Sequence, residues 1–490
     1  MNLSGNSERE IMESINLISQ FNSLVIIFLI SLFFVVLGIF YSKNFLDLNN
    51  YLVANRSVKT ISLTMSLVAS ALGTWVLFGP ASAATWGGIG AVIGYALGTA
   101  APFFFLIYLG KTFRTKYPQS KTLIEVINLH FGNRLYKFIF LLSIFYMIIF
   151  LIAEVTAVSL LVKYLSGNDL WITSLIVLSC STIYTLYGGL RISIFTDKIQ
   201  FIFFTLILFL IFLYLFSIQP DHFNFNFIRQ KKPELLSLNY INNFTAGLTF
   251  FIAVAATNLF HQGNWQRVYA AQNNKTLTNS LILSFFIVTP IVFITGFTGL
   301  VAISQNANIN ADLAFFYLIL QKQNLYISGI LIFLSISLAI SSIDTIINAI
   351  SSLIIVDAKK VFNSKLNSFK LSKAIILALC LITFTVSSQG FSILYLFLLA
   401  DLFCCSAVIS VFYSFHKKNV DTKQVIFSIV AGLFGGLLFF PSPNFTQSFL
   451  VGFIAPAKYF PTFINESLLF ISFLVATFLP AFVLKAKKIL

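Results

Sequence analysis

This chain carries little charge: Lys, Arg, Asp and Glu make up 10% of its 490 residues, against about 25% in ordinary soluble domains. Histidine is scarcer still, with four residues at His130, His222, His261 and His416, too scattered for an HExxH or any clustered ligand set. The four cysteines, Cys180, Cys380, Cys404 and Cys405, fall inside apolar runs without CxxC spacing or a loop partner, and read as small core residues. No GxSxG or Walker pattern occurs. A membrane enzyme therefore has no candidate catalytic apparatus, and no catalytic residue is assigned.

What the chain has instead is apolar surface. Hydrophobic residues make up 58% of it and Phe alone contributes 58 residues, above the roughly 45–50% of soluble proteins. Runs of about 18 apolar residues or more, the length that crosses a hydrocarbon core, recur at 22–42, 59–82, 85–111, 137–164, 170–187, 193–217, 242–262, 279–304, 325–356, 371–388, 391–414, 424–440 and 466–485. The expected fold class is thus an all-α integral membrane protein of about thirteen transmembrane helices. The segment before the first run carries Glu8, Glu10 and Glu13, and that run lacks a small-residue cleavage site, so it is expected to remain as a helix.

The net charge of +15 has a simple distribution. Of the 31 Lys and Arg, 24 fall in alternate loops and the C-terminal tail, while Arg9, Lys163, Arg229, Lys231, Lys232, Lys322 and Lys458 fall on the other side. The positive-inside rule then puts the N-terminus outside and the C-terminus in the cytoplasm, as an odd number of spans requires. The expected location is the plasma (inner) membrane, multi-pass. A basic face toward solvent or anionic lipid accounts for the charge, and no nucleic-acid partner is expected.

Charged groups within the spans are costly, roughly 2.5–3.5 kcal/mol each on insertion scales, and so mark candidate function. Four stand out: Glu154, Asp197, Asp344 and Asp401. For Glu154 and Asp401 taken alone, an interhelical hydrogen bond or a neutral structural carboxyl competes with a transport role. In span 9, Ser337, Ser341, Asp344, Thr345, Asn348 and Ser352 recur at steps of three and four along one face. This stripe suits helix-to-helix glue and cation binding equally, since Ser341 and Ser342 offer adjacent neutral oxygens.

Span 2 is rich in small residues around Ala69, Ser70, Ala71, Gly73 and Thr74, which permit either close packing or local unwinding. Span 7 ends in TNLFHQGNWQRVYAAQ. A solvated helix end accounts for Gln266 and Arg267, whereas Thr257 and Asn258 lie deeper and need internal partners. With His261 and Gln262 they are candidates for solute contact, as are Ser70, Gly73 and Thr74 of span 2.

Three passages together, YTLYGGLRISIFTDKIQ at Tyr184–Gln200, SSIDTIINAISSLIIVD from Ser341 and HQGNWQRVYAA from His261, resemble the sodium/solute symporters, the family of proline, sugar and pantothenate carriers. The resemblance covers roughly residues 45 to 420. It implies a LeuT-type core of two inverted five-helix repeats, over 59–217 and 242–414. Residues 1–21 then form an extracytoplasmic tail, 22–42 an accessory helix and 424–485 two C-terminal accessory helices. It further implies that spans 2 and 7 are broken at mid-membrane, although neither carries a central proline.

By motif matching, the resemblance implies a sodium site on the hydroxyls of Ser341 and Ser342 and the carbonyls of Leu338, Ala69 and Leu72, with Asp197 nearby. Two residues depart from family branches. Ala71 stands where the proline carriers have an aspartate, a loss that Glu154 is one candidate to compensate. Val254 and Thr257 stand where the sugar carriers have an asparagine and a gating tyrosine. The expected function is sodium-coupled uptake of a small polar solute such as an amino acid, urea or a similar osmolyte. Glu154, Asp344 and Asp401 are coupling candidates and leave a proton-coupled carrier as the alternative. An integral-membrane enzyme or a sensor is the reading from another class.

Overall fold

Within a bilayer every backbone N–H and C=O must find a partner inside the protein, so long apolar runs become helices and breaks survive only where protein surrounds them. The computed structural model describes residues 16–42, 47–237, 239–322, 324–358, 361, 368–417, 421–443, 445, 447–451, 464 and 467–486. The acidic N-terminal segment, the first residue of the last expected span and Lys487 and Lys488 of the basic tail lie outside them.

Helix α1 (Gln20–Ser42) and the short α2 (Leu48–Val53) are followed by α3 (Thr60–Ala71), α4 (Gly79–Lys116), α5 (Leu123–Phe131), α6 (Asn133–Ser166) and α7 (Leu170–Ile218). Next come α8 (Phe225–Lys231), α9 (Ile241–Phe260), α10 (Gln262–Ala270), α11 (Asn274–Gln305), α12 (Ala314–Leu320) and α13 (Leu325–Leu353). The chain closes with α14 (Ser368–Ser387), α15 (Ile393–Ser414), α16 (Thr422–Phe439) and α17 (Leu468–Lys485). Among the described residues the structure has helices and two isolated β-bridges but no strand, and 11 helices are long and apolar enough to cross a membrane.

Eleven helices answer to thirteen expected spans for two local reasons. Helix α7 contains both spans 5 and 6, joined across a kink at Gly189 with φ 57° and ψ −152°. Expected span 2 is divided instead. Its first half is α3, and its second half begins α4, which kinks at Gly88 with φ 57° and ψ −155° before continuing as span 3. A positive φ with extended ψ is open to glycine and to little else. Gly87-Gly88 and Gly188-Gly189 thus place the same kind of kink. Only the second pair reads as a boundary in sequence, because Arg191 follows it and no basic residue follows the first.

Helix α13 lies at the centre. Of its most apolar stretch, 89% is buried inside the protein, against 28% for α7. It packs on α7, α6, α1, α3 and α10. The polar stripe Ser337, Ser341, Asp344, Thr345, Asn348 and Ser352 is buried throughout, so its hydroxyls and carboxylate need partners within the protein. Helix α4 lies against α9 and α11, while α16 and α17 pack on each other and on α15.

Candidate solute pocket and cation site

Both helices are interrupted, but only the first break falls inside its expected span: the second is at His261, at the inner end of the expected 242–262, and the helix runs on beyond it as α10. Helix α3 stops at Ala71, Leu72 (φ −105°, ψ 93°) and Gly73 (φ −91°, ψ −172°) are extended, and a 3-10 turn covers Thr74–Leu77. Any residue adopts these torsions, so backbone freedom is not the reason for a glycine. Space is: a Cβ at Gly73 would collide with Glu154 Oε1 and Ser342 Oγ. On the other side α9 stops at Phe260, His261 (φ −60°, ψ 109°) leaves the helix, and α10 resumes at Gln262.

A pocket lies between the two breaks. Of the expected solute contacts, Ser70, Thr257, Asn258 and His261 line it, together with Ala71, Val254, Asn264 and Ser342. Gly73, Thr74 and Gln262 do not. The Thr74 amide donates to Glu154 Oε2 at 2.9 Å and its hydroxyl to the Ser335 carbonyl at 3.3 Å. Gln262 accepts from the Leu123 amide at 3.1 Å and reaches Ser352 Oγ at 3.4 Å, tying α10 to α5 and α13.

Trp75, Tyr95, Phe150 and Phe397 supply aromatic walls. Trp75 and Tyr95 stack at 5.8 Å, and Phe150 meets Phe397 edge-on at 4.7 Å. Nothing in sequence groups four aromatics from so many separate helices. Asp401 of α15 also lines the pocket with 5% of its surface exposed. Thr257 Oγ1 donates to its Oδ1 at 2.6 Å. Its Oδ2 has no hydrogen-bond partner among the described residues.

A second cluster of buried polar groups lies where α3, α7, α10 and α13 meet. Ser341 Oγ donates to Asp197 Oδ1 at 2.8 Å. Asp197 Oδ2 accepts from Ser66 Oγ at 2.5 Å and from Arg267 at 2.7 Å. The structure therefore brings Ser341 and Asp197 together, with Ser66 as an unexpected third member. Leu338 and Ala69 are buried on the facing helices α13 and α3, and Leu72 is buried in the break.

Arg267 corrects the sequence reading. It is not a solvated helix end but fully buried, with 0% exposure on both sides of its ion pair with Asp197. Its Nε donates to Ser66 Oγ at 2.8 Å, and its other nitrogens donate to the Gly263 carbonyl at 3.1 Å and Thr345 Oγ1 at 2.9 Å. The general rule that Arg marks a membrane edge misplaces it. The available signal is Asp197 itself, an intramembrane carboxylate that needs a partner, since buried charges are paired.

Asp344 lies alongside, held by hydroxyls rather than by a guanidinium. Tyr184 donates at 2.7 Å, Ser193 at 3.1 Å, and Thr196 and Thr345 at 3.3 Å each. Glu154 stands apart from this cluster, at the α3 break, with Oε1 buried and unbonded. Around the two breaks four carboxylates, Glu154, Asp197, Asp344 and Asp401, are thus buried, while among the described residues Arg267 is the one buried Lys or Arg. Such an excess of desolvated negative charge is costly without cations or protons to offset it.

The family described as the sodium:solute symporter family matches residues 51–427. A Candida albicans protein named "Spermidine transporter DUR31" is 25% identical over 424 residues, covering 86% of this chain and 79% of its own. The rat "Solute carrier family 5 member 4" is 28% identical over 200 residues, 40% of this chain and 29% of that protein. Among solved structures, a substrate-bound, outward-open Na+-coupled sialic acid symporter superposes with a TM-score of 0.70 at 18% identity, covering 94% of this chain and 96% of that one. MhsT in complex with L-phenylalanine superposes at 0.54 and 13% identity, over 87% and 98%. These likenesses give the fold as the LeuT type.

Proposed function

The chain belongs to the sodium:solute symporter family, and from that premise we propose that it couples inward sodium movement to uptake of a small solute carrying an ammonium group. Asp401 carries the reading. One of its oxygens is held by Thr257 and the other is unbonded, in a pocket walled by Trp75, Tyr95, Phe150 and Phe397. A carboxylate beside aromatic faces favours an organic cation, through charge and through attraction to the ring faces. An amino acid satisfies this as well as a simple amine does; urea, with no positive charge, satisfies it less well. The name of the Candida albicans relative, which specifies spermidine, supports the same class.

Sodium coupling is supported by the family and by the buried charge excess around the breaks. Sodium binds at Ser341, Ser342 and the carbonyls of Leu338, Ala69 and Leu72, and orders the α3 break against α13. Solute then joins at Asp401, and the five-helix repeats 59–217 and 242–414 rock about the pocket. With the N-terminus outside, α3 and α10 are the cytoplasmic halves of the broken helices. The Asp197–Arg267 pair then stands on the cytoplasmic side of the pocket, where an inner gate belongs. Binding is reciprocal, so sodium and solute raise each other's affinity by one factor.

The test is a thermal-unfolding screen of the purified protein against ammonium-bearing and uncharged solutes, in sodium and in potassium. Uptake of the best stabiliser into proteoliposomes follows. Stabilisation by ammonium-bearing solutes, stronger in sodium, is expected. Stabilisation by uncharged solutes alone contradicts the role of Asp401. Uptake driven by a pH gradient and indifferent to sodium turns the account to the proton-coupled alternative, which the same excess of carboxylates would serve.

A further inference from the structure

Building on the sodium-coupled reading, we propose that Glu154 is a direct ligand of the coupling cation, sharing it with Ser342 and the carbonyls freed at the α3 break. The site then holds a formal negative charge that neutral hydroxyls and carbonyls lack.

The placement comes first. Glu154 projects from α6 onto the one stretch of α3 where helical hydrogen bonding stops, and its side chain is fully buried. Oε2 takes the Thr74 amide at 2.9 Å and so caps the turn that follows the break, where Gly73 supplies no side-chain cap. Capping needs one oxygen. The other, Oε1, is buried with no hydrogen bond of normal geometry.

Glycine at position 73 keeps the ground beside Oε1 clear. A Cβ there would collide with Glu154 Oε1 and with Ser342 Oγ, so the carboxylate and the hydroxyl converge on one place. Sodium takes oxygen ligands in place of its water, and a charged oxygen in a low-dielectric setting holds it more strongly than a neutral one.

The other carboxylates are engaged elsewhere. Asp197 is answered by Arg267 at 2.7 Å. Asp344 accepts four hydroxyls, and Asp401 faces the solute pocket from α15. Glu154 is the carboxylate at the break whose second oxygen makes no hydrogen bond of normal geometry, with Ser342 Oγ beside it. This arrangement also explains how the chain manages with Ala71, which lines the solute pocket where the proline carriers have an acid: the negative charge arrives from α6 instead.

The experiment compares Glu154→Gln with the wild type and with Ser341→Ala/Ser342→Ala. Thermal unfolding and equilibrium binding of radioactive sodium are measured on purified protein, with potassium chloride keeping ionic strength constant. Glutamine keeps the oxygen that caps Thr74 and loses the charge. The expected result is a folded protein whose apparent sodium affinity falls by about tenfold or more. Wild-type sodium affinity in Glu154→Gln, alongside its loss in the serine variant, overturns the role of Glu154 alone. No sodium response in the wild type overturns the coupled reading beneath it. Should Glu154→Gln not fold, Glu154→Asp retains the charge on a shorter arm, with the same loss of affinity expected; an unchanged affinity overturns the proposal.

Discussion

Arg267 and Asp197, 70 residues apart in sequence, meet at 2.7 Å with neither side chain exposed. The guanidinium also binds Ser66 on α3 and Thr345 on α13, so one buried cation joins four helices. Removing one partner of such a pair strands the other charge in a low-dielectric interior. Arg267→Gln is expected to destabilise the protein by about 3–5 kcal/mol. Asp197→Asn added to it should restore part of that loss, because the stranded carboxylate goes too. Thermal unfolding of the two single variants and the double variant measures this, and additive losses would contradict the pairing.

Asp401→Asn separates solute from sodium. With the charge gone, affinity for an ammonium-bearing solute should drop by about 2 kcal/mol or more, roughly thirtyfold. Stabilisation by sodium alone should persist, since Asp401, on α15, is not one of the proposed sodium ligands. Solute titrations by thermal shift with and without sodium check both halves. A parallel loss of the sodium response would mean that Asp401 serves the ion.

Gly73→Ala tests the break by volume. The added methyl collides with Glu154 and Ser342, and overpacking of this kind costs about 1–3 kcal/mol. The variant should unfold at lower temperature and bind sodium less tightly. Gly329→Ala is the control on α13, where the nearest atom to the new methyl, Ile26 Cδ1, is 3.9 Å away and no loss is expected.

Much of the fold is legible along the chain because bilayer crossing imposes a length and a polarity that single spans carry by themselves. The stripe from Ser337 to Ser352 is legible for the same reason: its spacing is helical and local. The breaks are less so. Gly73 is needed for room beside Glu154 and Ser342, and that crowding comes from helices distant in sequence. The sequence misplaces Arg267 because the tendency of basic residues to mark membrane edges is statistical, whereas its burial depends on Asp197, Ser66 and Thr345 converging from three other helices. The aromatic walls at Trp75, Tyr95, Phe150 and Phe397 are hardest to see, since Phe is abundant everywhere in this chain and only tertiary packing selects four aromatics for one pocket.

The drive of solute uptake by sodium bound at Ser341 and Ser342 is the heart of the proposed function. It is tested most directly by accumulation of the radiolabelled ammonium-bearing solute chosen in the thermal screen, in proteoliposomes under an inward sodium gradient. Accumulation is expected with wild-type protein, with collapse when potassium replaces sodium and no sodium stimulation in folded Ser341→Ala/Ser342→Ala. Equal accumulation in sodium and potassium, or a normal sodium response in that double variant, would contradict it.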